Sequence, residues 1–366
     1  MSTLHQDPAL LAAEREEKEA RLHAYLRENH LDALVLARAE NIAWLTGGAE
    51  TRIVTTQETG AALLLYTAEG RKVVVTGVSE ARRIAEEELA GQGWELVVHP
   101  WDEDPTPRLQ SLLKGRRAAA DGPWWPWLPP APAFARLRYR LTPAEVQRLR
   151  WLAARTGAAV AQACRAHQPG ESELQALARV HAALAADGIT PAVVLVAGDD
   201  RVWRYRHPLP TTRPVERYLM VVLVAAKWGL HAAATRLVHF GPLPAELEHK
   251  QAAVAAVDRT LIEATRPGVP VKEVFAEGLR AYAAAGFPEE WRLHHQGGAI
   301  GYAPREYLAT AESTEVVLEN QAFAWNPSIT GAKSEDTILI TPDGTEVLTA
   351  VPDWPLIDGR PAILVR

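Results

Sequence analysis

Cysteine is almost absent. Cys164 is the only one in 366 residues, so no internal disulfide can form, as expected of a reducing compartment. No apolar run approaches the roughly 18 residues a membrane helix needs, so no membrane association is expected. The N-terminus, MSTLHQDPALLAAEREEKEARLH, lacks the apolar core of a signal peptide, and the cytoplasm is the expected location. Basic charge is in deficit, with 39 Lys and Arg against 45 Asp and Glu and a net charge of −6. The densest basic cluster, Lys114-Gly115-Arg116-Arg117, is short, so nucleic acid is not an expected partner. No Gly-x-Gly-x-x-Gly or Walker pattern occurs, and no low-complexity tract. What remains is a globular composition, 48% apolar and 23% charged, long enough for two cores.

Periodicity predicts a charged amphipathic helix from Pro8 to about Glu28, with Leu11, Leu22, Tyr25 and Leu26 as its apolar stripe. Strands follow at Ala33–Ala37, Ala62–Tyr66, Lys72–Thr76 and Glu95–His99, with helices starting at Asn41 and after Ser79. This alternation reads as a layered α/β domain. Asp121–Pro132 (DGPWWPWLPPAP) holds five prolines and cannot sustain a helix or central strand. Its three tryptophans should pack onto a domain surface or wall a pocket or interface. A first domain over residues 1–135 is therefore expected, with a linker at about 121–140, and a second over 141–366.

The second domain opens on a capping box, Thr142-Pro143-Ala144-Glu145, with proline at the first helical position. Helices are predicted to about Ala166 and at Glu173–Ala186, Ala245–Ala264 and Val271–Ala285, with strands at Ala192–Ala197 and Tyr218–Ala225. Two segments, Val221–Val238 and Ala322–Leu339, share one character: apolar strand, tight turn, second strand. Their turns fall near Lys227-Trp228-Gly229 and Thr330-Gly331-Ala332.

Several motifs align along the whole length. They are Asn41-Ile42-Ala43-Trp44-Leu45-Thr46-Gly47, then Ala234-Thr235-Arg236 after a glycine turn, then Ser334-Glu335-Asp336-Thr337-Ile338-Leu339-Ile340-Thr341 followed by Asp343-Gly344 and Glu346-Val347-Leu348-Thr349. Together they resemble the aminopeptidase P, prolidase and creatinase family. The resemblance implies a mixed α/β (α+β) fold, a creatinase-like N-terminal domain followed by a pita-bread domain, and a homodimer. In the peptidases of that family two divalent cations are held by two aspartates, a histidine and two glutamates, hard donors with the negative charge that such ions need. By the resemblance these positions read here Val222, Ala233, Gly298 (in a Gly-His-Gly-like turn), Asn326 and Glu335. Three of the side chains offer no donor, and Asn326 offers one neutral oxygen. No cofactor is therefore expected and no dinuclear metal, and with the metal goes the usual route to hydroxide at neutral pH.

Other polar positions stand where the family has functional ones. By the resemblance His207 matches an upstream histidine that contacts substrate, or moves protons in metal-free creatinase; its spacing is two residues shorter. His294 matches a substrate-side histidine, Arg305 stands where peptidases carry a histidine, and Lys333 where an arginine precedes the last glutamate. The leading expectation is a pocket for a small polar or peptide-like ligand, lined by Arg305, Lys333, Asn326 and His295. A second reading is metal-independent C–N bond hydrolysis with His207 as acid/base and His294 and Glu335 assisting. A third is an Xaa-Pro peptidase recruiting His231, His294 and His295 as ligands. Glu335, if buried, needs cationic partners, and Lys333, Arg305 and Arg236 are the candidates.

Overall fold

The computed structural model describes residues 8–366 and divides into two units, one mostly of residues 1–138 and the other mostly of 139–366.

In the first unit, helix α1 (Pro8–Glu28) presents Leu22, Tyr25 and Leu26 inward as its spacing predicts, while Leu11 is only partly covered. Glu14 and Lys18, four residues apart on this charged helix, are buried. Lys18 Nζ reaches Glu14, Glu145 Oε1 at 2.7 Å and the Trp44 carbonyl at 2.6 Å, so the buried charge is fully partnered. After β1 (Ala33–Arg38), α2 (Ala39–Thr46), β2 (Thr59–Thr67), β3 (Lys72–Gly77), α3 (Val78–Arg83) and β4 (Glu95–His99) come α4 (Thr106–Leu113) and β5 (Ala118–Ala120). The last two have no counterpart in the sequence reading. The sheet runs β4-β3-β2-β1-β5, with β1 parallel to β5 and antiparallel to β2. Trp124 and Trp125 do both things expected of them: they pack on this sheet's core and wall a cavity of about 280 Å³, whereas Trp127 is 38% exposed.

Helix α5 (Pro143–Ala166) starts on the expected box, whose residues 142–145 group with the first unit while the rest of the helix opens the second; Thr142 N–H donates to Glu145 Oε2 (2.7 Å) and Glu145 N–H to Thr142 Oγ1 (3.3 Å). Cys164 lies wholly buried on this helix, and burial pushes its thiol up to about 12, so it is inert packing. Next come α6 (Glu173–Ala185), β6 (Thr190–Gly198), α7 (Asp200–Arg204), β7 (Tyr218–Lys227), β8 (Leu230–His239), α8 (Ala245–Ala264) and α9 (Val271–Ala284). The strands that follow are β9 (Gly297–Ile300), β10 (Tyr307–Leu308), β11 (Ala322–Trp325), β12 (Ser328–Ile329), β13 (Ala332–Lys333), β14 (Asp336–Thr341), β15 (Gly344–Val347), β16 (Leu356–Ile357), β17 (Arg360–Pro361) and β18 (Leu364–Val365).

Two sheets result, β18-β8-β7-β6 and β10-β9-β11-β14-β15. β7 and β8 are ten-residue strands buried almost throughout, as their valine and alanine runs require. They turn at Trp228 and Gly229, both at positive φ. The second expected hairpin is broken: Pro327 ends β11, and the short pair β12–β13 closes over Thr330-Gly331 before β14 resumes. One core cluster joins both sheets and α8–α9 through Val222, Val257, Phe275, Ala299, Trp325 and Ile338.

Candidate ligand site

The site grows from the broken hairpin. β13 ends on Lys333 and β14 begins on Asp336, leaving Ser334 and Glu335 between them in a fully buried stretch. Glu335 is 1% exposed, and both its oxygens are engaged. Oε2 accepts from Lys333 Nζ (2.9 Å) and from the Thr235 hydroxyl (2.6 Å), and Oε1 accepts from the Arg305 guanidinium (3.3 Å). Burial pushes this carboxyl up, but Lys333 and then Arg305, with the hydrogen bonds from Thr235 and Lys333, overcome it and hold the group at about 2. Of the three expected partners, Lys333 and Arg305 serve. Arg236 instead bonds Asp336 Oδ1 (2.9 Å) and the Thr349 carbonyl (3.0 Å), a structural tie.

Three histidines stand beside this cluster. His294 Nε2 lies 2.9 Å from His207 Nε2, and the rings of His294 and His295 stack with centroids 4.2 Å apart. One nitrogen from each of the three falls within 4.8 Å of the others. Burial, then Lys333 and the neighbouring imidazoles, lowers His294 to about 3. Burial, then Arg305 and Lys333, lowers His295 to about 4, and burial followed by Lys333 lowers His207. All three are therefore neutral near pH 7, and the His207–His294 contact holds one shared proton. His231 lies outside this group; its Nδ1 is 3.1 Å from the Gly301 carbonyl. Asn326 is buried with its Oδ1 unpartnered, as are Arg305 Nε and the Nδ1 atoms of His294 and His295.

Beside His207 opens a cleft of about 350 Å³ walled by Arg201, Arg204, Tyr205, Leu209 and Arg213. Behind it Tyr205, His294 and Lys333 border a space of only about 10 Å³, room for about one water.

Residues 147–342 match the model of metallopeptidase family M24, and residues 19–146 that of the creatinase/prolidase N-terminal domain. The chain belongs to metallopeptidase family M24. Among its relatives is the probable dipeptidase PepE of Mycobacterium tuberculosis, 26% identical over 185 residues. That match covers 48% of this chain, which spans about half the length of the curated relatives it matches (49%). The Xaa-Pro dipeptidase of Bacillus anthracis superposes with a TM-score of 0.80 at 18% identity, covering 96% of this chain and all (100%) of that one. The dipeptidase PepE of Mycobacterium ulcerans gives 0.78 at 21% identity, over 96% and 98%. These likenesses establish the prolidase-like fold.

The residues that the resemblance sets at the five metal-holding positions of M24 peptidases do not offer the donors that a pair of dications needs. Val222, on β7, is a member of the apolar core. Ala233, on β8, exchanges two hydrogen bonds with the Thr337 hydroxyl through its backbone (2.7 and 2.9 Å). Gly298 is not in a turn, contrary to the sequence reading. It is mid-strand in β9, paired with Ala324 on one side and Leu308 on the other. At its φ of 157° a Cβ would stand 2.2 Å from the Tyr307 carbonyl oxygen and 3.0 Å from Ala309 N, so no histidine fits without moving backbone. The one carboxylate, Glu335, already has two cations.

Two contributors escape a reading by motif. Thr235 belongs to the Ala234-Thr235-Arg236 motif, but nothing in the sequence says that its hydroxyl bonds Glu335. Under the site Arg360 bridges Asp258 Oδ2 and Asp336 Oδ2, both at 2.7 Å, and Ser334 donates to Asp258 Oδ2 at 2.5 Å. That network anchors the Ser334–Asp336 backbone, and Asp258 and Arg360 lie 102 residues apart.

Proposed function

We propose that this M24 member is a metal-free protein whose site is a pocket for a small polar or peptide-like ligand. The observation behind this reading is the saturation of Glu335: Lys333 and Arg305 supply the positive charge that two dications supply in M24 peptidases. A bound dication would have to displace an ammonium already 2.9 Å from the carboxylate, against the repulsion of the Arg305 guanidinium. No hydrolytic step through a metal is derived for this chain. The test is elemental analysis of protein grown with Mn²⁺, Co²⁺ and Zn²⁺, alongside Xaa-Pro dipeptide hydrolysis. Metal near zero and no metal-stimulated hydrolysis are expected. Two metals per chain with hydrolysis would overturn the reading.

The His207–His294 contact supports a second reading, metal-independent hydrolysis of a C–N bond in a small amide or amidine. His207 would move the proton, Glu335 would orient the substrate, and Arg305 or His294 would steady developing charge. A peptidase with recruited ligands would have to draw on His207, His294 and His295, whose nitrogens lie within 4.8 Å of one another and could hold one ion, and not on His231, which is outside that group. A homodimer acting in the cytoplasm completes the proposal; light scattering of the purified protein checks the assembly. Among the described residues no helix is long and apolar enough to cross a membrane.

A further inference from the structure

We infer that the cleft beside His207 takes a small dianion without a free amine, of the dicarboxylate or N-acylated acidic amino-acid class. The inference rests on the pocket proposed above and names its ligand.

Charge pairing carries it. In the cleft wall Arg201 is matched by the buried Glu173 and also donates to the Leu209 carbonyl (2.9 Å). Arg204 and Arg213, however, share a single carboxylate, Asp200, at 3.4 and 3.6 Å. Outside the cleft lining but acting electrostatically on His207, Lys333 and Arg305 likewise share the single carboxylate of Glu335. Two cations thus stand against one anion in the cleft wall, and two against one again in the group whose charge acts on His207. Arg206, between them, is neutralised by Glu290 at 2.5 Å.

The same pairing excludes an ammonium. Glu173, Asp200, Glu290 and Glu335 are each already ion-paired, so no acid remains to receive a protonated amine. Size and polarity set the rest. About 350 Å³ suits a compact molecule, Pro208 and Leu209 give its methylenes an apolar wall, and His207 gives a hydrogen-bonding imidazole. The inner space of about 10 Å³ is too small for a carboxylate group, so the ligand stays in the outer cleft with its inner acid toward His207. Its outer acid meets Arg204 and Arg213, whose guanidinium groups match a planar carboxylate.

Calorimetric titration with N-acetylglutamate, its isostere N-acetylglutamine, which lacks only the side-chain charge, glutamate and inorganic phosphate tests this. N-acetylglutamate should bind at least about tenfold more tightly than N-acetylglutamine or glutamate, the size of one charge-assisted contact. The double variant Arg204→Gln, Arg213→Gln should lose that preference while its melting temperature stays unchanged. Equal binding of the two isosteres, no binding of any probe, or tighter binding of phosphate would each overturn the inference. Metal content separates this result from the proposal beneath it: a metal-free protein that fails to discriminate sinks only the ligand class. A metal-loaded protein that does discriminate sinks only the metal-free reading.

Discussion

Replacing Lys333 with methionine removes the ammonium that lies 2.9 Å from Glu335 and keeps most of the side chain's volume. Both residues are buried, at 5% and 1% exposure, so the remaining carboxylate cannot turn to water. Removing one partner of a buried ion pair costs about 3–5 kcal/mol. Arg305 at 3.3 Å and the Thr235 hydroxyl still hold the carboxylate, which places this case near the lower end, about 3 kcal/mol. For a unit of this size that is a fall in melting temperature of roughly 6–12 °C, read by circular dichroism. The double variant Lys333→Met, Glu335→Gln removes the stranded charge and should recover most of the loss. The sign with pH is fixed. Glu335 is held at about 2 against an ordinary 4.5, so its ionisation stabilises the fold above 4.5 and that contribution is lost as pH falls toward 2. The deficit of Lys333→Met is therefore full at pH 7 and shrinks below pH 4.5. A loss under about 1 kcal/mol, typical of an exposed pair, or a double variant no better than the single one, would refute the account.

Gly298→His should restore no metal binding and should lower stability by about 3 kcal/mol or more, because its Cβ meets the Tyr307 carbonyl; wild-type melting would count against the packed strand. His294 and His295 are lowered to about 3 and about 4 from 6.5, so the unfolded chain takes up protons first as pH falls below 6.5 and stability drops from there toward 4. Urea melts at pH 7, 6 and 5 should show a slope of up to about 1.4 kcal/mol per pH unit from His294, and less from His295 once solvent screening is allowed for. His294→Gln should flatten that slope. If the protein is a metal-independent hydrolase, His207→Ala abolishes turnover and leaves binding largely intact; activity unchanged by the substitution rejects that chemistry.

What was legible in the sequence is what repeats. The ten-residue strands β7 and β8 follow from continuous apolar runs, and the start of α5 from its capping box. β5 is three alanines, residues with little strand preference, held by parallel pairing with Ala33, Leu34 and Val35 and by the 129–131 segment on its other side. α4 is eight residues long with no acidic first turn to announce it. In the site, the family resemblance pointed to Arg305, Lys333 and the three histidines, while Thr235 and Arg360 act through contacts across 100 and 102 residues that no local pattern encodes. The buried Lys18 and Glu14 are indistinguishable in sequence from a solvated helix pair; only Glu145, far along the chain, reveals their burial.

The pairing of β10 against Gly298 has a consequence for reversal. A chain that had merely exchanged a metal ligand for glycine could regain it in one substitution. Here the neighbouring backbone occupies the volume that the side chain would need, so the strand must move before a donor can return. A metal donor at this position therefore requires first a strand rearrangement that confers no binding of its own.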